Sequence, residues 1–339
     1  MYPLDRGMWG PTLRISHLRD ELDERVELDL VSGYRAARRV GLARYALRGP
    51  LRGLDGIYVE SSTFLPAEAD VAFLGLARAL GIPILTYIRD AYQLFPEYYE
   101  LGSLRRRLGA LAFRPAMRAL RAVSSRLAFP SEGLARAVFG DDIDPVVIPP
   151  GSRDPVDVPR LPNARRLLFV GNGQLEAQGA RRLIEAVGLA RKRGLDVQLT
   201  IVSRPGEEPR EVRAPWIRVL NGEGATIHAL LPDVLATVIP RPRGAYNDLA
   251  VPVKLYDYLA YGRPLLVTDC TEQAAVVRRA QAGIVTGAAS AEIAEGISEL
   301  ATADDARVDR WAENARRAAL ANSWSARAAS ILDTLGVAT

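Results

Sequence analysis

The chain has 339 residues, nearly half of them hydrophobic and a quarter charged, with a net charge of +4 and one cysteine. That length suggests two domains, each able to build its own core, and no run of about 18 apolar residues is present to span a bilayer. Cys270 alone forms no internal disulfide and points to a reducing cytoplasm. With only His17 and His228 there is little material for a histidine zinc site or a Ser-His-Asp triad.

Cys270 reads as a packed residue at a strand end, since a catalytic thiol needs an activating partner. Lys192 and Lys254 are the only lysines. The arginine bias fits a GC-rich genome, and it also favours phosphates and anionic surfaces.

In chain order, the opening MYPLDRGMWGP places Gly7 and Gly10 around a short loop, followed by an amphipathic helix from about Pro11 to Leu22. Gly56–Glu60 reads as a strand, Asp70–Leu80 as a helix stopped by Gly81, and Pro83–Ile88 as a second strand. Ser103–Arg121 is a basic helical region in which Pro115 predicts a kink or break. Short strands are expected at Arg126–Pro130 and Pro145–Ile148, around a helix over Glu132–Phe139. Alternating β and α segments predict a parallel sheet with helices on both faces.

Pro149, Pro150, Gly151, Pro155, Pro159 and Pro162 then crowd one segment, the mark of an extended interdomain linker. A second series follows. Strands are expected at Leu167–Gly171, Val197–Val202, Trp216–Leu220, Ala236–Pro240 and Pro264–Thr268. Helices are expected at Ala180–Arg193, Val253–Tyr261, Ala291–Thr302, Asp305–Asn322 and Ser325–Leu335. The chain therefore reads as α/β, with two doubly wound Rossmann-like domains, residues 1–155 and 156–323. Ligands of such sheets sit at the carboxyl ends of the strands, and the cleft between two such domains is the expected site.

The stretch NDLAVPVKLYDYLAYGRPLLVTD, Asn247–Asp269, is the most informative. Pro252 can open a helix where no amide bond is lost. The amides near Val251, Val253 and Lys254 then point outward, a setting that attracts a diphosphate. Lys254 adds a cation. Asp257 lies about one turn further on the same face, where a carboxylate can accept bonds from neighbouring ribose hydroxyls. The plainer alternative is that Lys254 and Asp257 form a surface ion pair.

This stretch resembles the donor-sugar segment of glycosyltransferase family 4. It follows closely the branch reading Pro-x-Lys-hydrophobic-aromatic-acid-Tyr-hydrophobic-Ala-x-Gly-Arg-Pro. Weaker likeness extends over SSRLAFPSEGLARAVFG, VIPPGSRD and SWSARAASIL, so the resemblance covers nearly the whole chain. It implies the GT-B fold, with the domains facing across a cleft and a closing helix, 324–336, crossing back onto the first domain. It also implies a nucleotide-sugar donor bound mostly by the second domain, a sugar or lipid-linked acceptor bound by the first, and retaining transfer without a metal or other cofactor. The leaving diphosphate would be stabilised by amides and cations.

The chain departs from the family in four places. The first of the family's two spaced glutamates would fall on Leu249, so Asn247 or Asp248 would have to supply the donor-sugar contact. The second falls on Asp257, one methylene shorter. The Arg and Lys that hold the donor diphosphate are replaced by Asn172 and Gln178 in GNGQLEAQG, although Gly171, Gly173 and Gly179 keep the close-approach backbone. Arg241, Arg243 or Lys254 could restore the charge; Arg241 and Arg243 could equally be exposed loop residues. At the end of the second strand a family His-Asp pair is replaced by Arg89-Asp90, either a clamp on an anionic or hydroxyl-rich ligand or a structural salt bridge. Tyr92, Phe95, Tyr98 and Tyr99 could stack on a sugar or simply pack.

In the family the Gly7–Gly10 loop would touch donor phosphates after a first, central strand. No apolar run precedes Tyr2, so that strand is expected to be missing, with the natural start upstream; a plain turn is the alternative. Ser103–Arg121 sets Leu104, Leu108 and Leu111 on one stripe and arginines on the other, either a peripheral contact with an anionic membrane or an ordinary surface helix. Two other functions stay open. One is a non-catalytic nucleotide-sugar-binding subunit; the other is a sugar-nucleotide epimerase, which would need more acid/base residues than are present. Nucleic-acid binding is not expected, because the arginines are dispersed and no recognition module is visible.

Overall fold

A computed structural model describes residues 10–47, 50–61, 66–161, 163–210, 212 and 214–338. Residues 1–9, with Gly7 and the expected missing strand, lie outside these, as does Pro162. The chain divides into two compact units, residues 1–151 with 324–339, and residues 152–323.

The first unit contains α1 (Gly10–Asp23), α2 (Arg35–Leu47), β1 (Ile57–Glu60), α3 (Glu68–Ala79), β2 (Ile84–Tyr87), α4 (Leu104–Val123), β3 (Arg126–Phe129), α5 (Glu132–Phe139) and β4 (Val146–Val147). Its sheet is parallel, in the order β1-β2-β3-β4. Alternate strand residues face opposite layers. Leu85 and Tyr87 of β2 pack with Leu18 and Leu22 of α1 and with Trp324, Ile331 and Leu335. These last belong to the closing helix of the chain, which is therefore part of this unit.

One expectation is corrected here. Pro115 does not break its helix: α4 runs unbroken over 20 residues with Pro115 inside it. A proline forfeits one backbone bond. The helix nevertheless buries Phe113, Met117 and Leu120 as one stripe, each contributing about 2 kcal/mol of burial, which outweighs that loss.

The second unit contains β5 (Arg166–Val170), α6 (Ala180–Lys192), β6 (Gln198–Ser203), β7 (Ile217–Asn221), α7 (Gly224–Leu230), β8 (Val234–Ile239), α8 (Val253–Ala260), β9 (Leu265–Thr268), α9 (Thr271–Ala280), β10 (Gly283–Thr286), α10 (Ser290–Thr302) and α11 (Asp305–Ala321); α12 (Trp324–Leu335) then closes the chain. The sheet order is β10-β9-β8-β5-β6-β7, all parallel. Its first strand is thus central, and the chain direction across the sheet reverses between β5 and β8. Central β5 (RLLFV) is apolar towards both layers, as a doubly covered parallel strand must be. Leu167 and Phe169 enter the core with α6 and α10, while Leu168 enters the core with α8 and α11.

Candidate functional site

The carboxyl ends of β5 and β8, the reversal point of the second sheet, are where such sheets take ligands. Three segments meet there: the loop after β5, the loop after β8, and the start of α8.

The loop after β5 is shaped from within. Gly171 has φ 152°. A Cβ there would lie 2.3 Å from Gln178 Oε1 and 2.8 Å from Lys254 Nζ, so only glycine lets both side chains close on it. Asn172 turns its side-chain oxygen back onto the amides of Gln174 (2.9 Å) and Leu175 (3.1 Å). It therefore sets the turn, a role its family counterpart arginine could not fill, having no acceptor. Gly179, at φ 76°, would place a Cβ 1.8 Å from the Pro240 carbonyl oxygen. That contact is how α6 begins directly against the end of β8.

Lys254 does not pair with Asp257. Its ammonium donates to Val170 O (3.0 Å) and Gln178 Oε1 (2.9 Å), and lies 4.7 Å from the centre of the Phe169 ring. The α8 backbone has reached β5, and Tyr258 holds it there by accepting a bond from the Val170 amide at 2.7 Å. Burial, and then the charge of Arg241, lowers the Lys254 pKa to about 7. Asp257 faces Arg153 at 3.9 Å. Burial raises its pKa to about 6, with Arg153 opposing.

Four other candidates are engaged inside the β8–α8 loop. Arg241 is buried and donates to Ala250 O (3.1 Å) and to Asn247 Oδ1. Asn247, also buried, donates onward to Pro242 O (2.9 Å) and Ala177 O (3.3 Å). Arg243 and Asp248 clasp each other through contacts of 2.8–3.1 Å. Arg241 is thus a loop brace close enough to influence Lys254, and Asp248 offers its carboxylate first to Arg243. Val253 opens α8 behind Pro252, as the spacing requires.

In the first unit, Arg89 and Asp90 follow β2 and bond to each other at 2.7 Å, both largely buried. Gly10 starts α1. Cys270 is buried, directing its thiol at Pro242 O (3.4 Å) and Arg241 O (3.5 Å), and burial raises its pKa. No group of three or more metal-ligating side chains occurs among the described residues.

Sequence reasoning passed over Arg263, the arginine of Gly-Arg-Pro. It is almost wholly buried, at 1% exposure, and donates to the carbonyls of Leu231, Gly262 and Val158. It ties the linker to the turn after α8. The only signal was the motif itself, which reads as a helix stop.

The class that this architecture defines is the GT-B fold, two α/β units each built on a parallel sheet. The solved structures it resembles include a glycosyltransferase from Rickettsia africae ESF-5 (TM-score 0.61, 15% identity, 94% of this chain and 86% of that one). They also include an α,α-trehalose-phosphate synthase (UDP-forming) from Burkholderia xenovorans in complex with glucose-6-phosphate (0.56, 12%, 90% and 79%). A third is the trehalose-6-phosphate structure from E. coli bound with UDP-2-fluoro glucose (0.59, 12%, 95% and 86%). Residues 164–303 match the family model of Glycosyl transferases group 1. No curated protein sequence matches the chain.

Proposed function

We propose that the protein transfers a sugar from a nucleotide-sugar donor, and that the second unit holds the donor. The observation that carries this reading is the position of Lys254. Its ammonium stands beside Gly171, at the mouth of a glycine loop and one residue inside the start of α8. Oriented amides and a cation at one point are what a leaving diphosphate needs. The match of residues 164–303 to group 1 glycosyl transferases supports the same assignment.

In this reading Lys254 releases Gln178 and turns to the diphosphate, whose charge raises its pKa and makes binding take up a proton. Asp257 accepts bonds from the ribose hydroxyls. Arg241 acts through the loop and through its field. The transfer is retaining and metal-independent, with the leaving diphosphate helping to take the acceptor's proton. The acceptor is a sugar or a lipid-linked sugar gripped by the first unit, with Arg89 and Asp90 among its contacts. The exposed Leu104, Leu108 and Leu111 of α4, set among arginines, rest on an anionic membrane.

The test is release of free nucleoside diphosphate from a panel of nucleotide sugars, with and without simple sugar acceptors. Turnover that vanishes in Asp257→Ala and Lys254→Ala supports the assignment. Binding without turnover across the panel would replace it with a second reading, a non-catalytic donor-binding subunit. Asn172, Gln178 and Leu249, where the family resemblance calls for Arg, Lys and Glu, favour that alternative.

A further inference from the structure

Beyond β8 the chain runs Pro240-Arg241-Pro242. Pairing of β8 with β9 ends at Ile239 and Val267. The prolines carry no amide hydrogen on either side of Arg241, so this segment offers mainly carbonyls and must be held by donors from elsewhere. Buried side chains supply them. Thr268 Oγ1 donates to Arg241 O at 2.6 Å. Asn247 Nδ2 donates to Pro242 O at 2.9 Å, and the Cys270 thiol lies 3.4 Å from the same carbonyl.

Gln273, in the first turn of α9, stands behind Thr268 and is wholly buried. Its Nε2 donates to Thr268 O (3.0 Å) and to Thr268 Oγ1 (2.9 Å). With a lone pair of the hydroxyl thus taken, the Thr268 proton is directed at Arg241 O. The Gln273 side-chain oxygen is itself buried and accepts no bond among the described residues. A buried acceptor without a donor disfavours the folded state. Gln273 is therefore a poor stabiliser; what it fixes is the orientation of one hydroxyl.

The consequence falls on the Arg241 side chain. With its backbone held from the β9 side, the guanidinium reaches Ala250 O (3.1 Å) and Asn247 Oδ1, in the approach to α8. There its field bears on Lys254, one residue inside that helix. A contact path thus runs from α9 through Gln273, Thr268 and Arg241 to the mouth of the glycine loop.

We propose that Thr268 and Gln273 are positioning residues of the donor site: they hold the Arg241 backbone so that the field of its guanidinium falls on Lys254 and on a bound diphosphate. This rests on the donor reading given above.

Thr268→Val removes the hydroxyl, Thr268→Ser keeps it, and Gln273→Met leaves it free to rotate. Lys192 and Lys254 are the only lysines, so carbon-13-labelled lysine gives Lys254 its own NMR titration, assigned with Lys254→Met. In wild type Lys254 should titrate near pH 7. In Thr268→Val it should titrate about half a pH unit or more higher, as Arg241 withdraws. The nucleoside diphosphate that most raises the wild-type Tm should bind that variant about tenfold more weakly. Gln273→Met should move both readouts the same way, and carries the test should Thr268→Val not fold; Thr268→Ser should move neither. A packing role alone would lower the Tm and leave both readouts at their wild-type values. That result, or equal loss in Thr268→Ser, would overturn the proposal while the donor reading stands. Wild type that binds no nucleoside diphosphate would remove the donor reading and this inference together.

Discussion

Lys254 and Asp257 both carry charges that the fold makes expensive, and the two respond to pH in opposite senses. The Lys254 pKa falls from 10.5 to about 7, so between those values the unfolded chain binds the extra proton. Its contribution to stability is fully present above pH 10.5 and is lost as pH falls through about 7. The Asp257 pKa rises from 3.8 to about 6; its contribution is present below pH 3.8 and is lost as pH rises through about 6. Denaturant titrations at pH 7, 8.5 and 10 should show wild type gaining stability relative to Lys254→Met as pH rises. At fixed pH 7.5 the same variant should bind nucleoside diphosphate about 10- to 100-fold more weakly, the worth of a charge-assisted bond. Nucleotide-sugar affinity, measured by calorimetry, should fall below pH 6 as Asp257 protonates, and Asp257→Asn should flatten that dependence. Arg263 makes the opposite case, a charge serving structure alone. Arg263→Ala strands buried carbonyls and should cost about 3 kcal/mol in urea unfolding.

At the scale of elements, the strands were legible where short apolar stretches carried them, and the ends found lie within two residues of those expected. β10 was not, because GIVT begins with a glycine and reads as a turn. A Cβ on Gly283 would lie 1.9 Å from Leu265 O, so its strand character comes from pairing with β9 and not from its own sequence. The arginine-rich α2 and the helix α9 were likewise obscured, because alanine and arginine outnumber the large apolar residues in each. In the site, Lys254 and Asp257 could be placed on α8 from spacing alone. What spacing could not convey was the Lys254–Gln178 contact, made across 76 residues, or the inward turn of Arg241. Close approaches of backbone define this region, and they are sharply intolerant. Gly179→Ala should unseat α6 from Pro240 and lower the Tm by several degrees, read by calorimetry. Gly194→Ala, with open space at its Cβ position but φ 88°, should cost no more than the local strain of about 1 kcal/mol.

At the scale of the whole molecule, the exposed leucines of α4 give a surface prediction. Leu104 and Leu111 are each about three-quarters exposed and sit among Arg105, Arg106, Arg107 and Arg114. Sedimentation with vesicles containing anionic lipid should recover the wild type, and recovery should drop in Leu104→Gln/Leu111→Gln and in high salt. Neutral vesicles should recover neither protein. Turnover on a nucleotide sugar should survive a chelator.

The closing helix has a consequence for biosynthesis. Trp324, Ile331 and Leu335 complete the interior around β2, although they are translated only after the whole of the second unit. The contiguous stretch 152–323 can mature as it emerges. Its N-terminal neighbour, though translated first, must wait for residues 324–335. A nascent chain halted before residue 324 would expose the greasy side of β2 and of α1, leaving an early product that is a substrate for chaperones and proteases until residues 324–335 emerge.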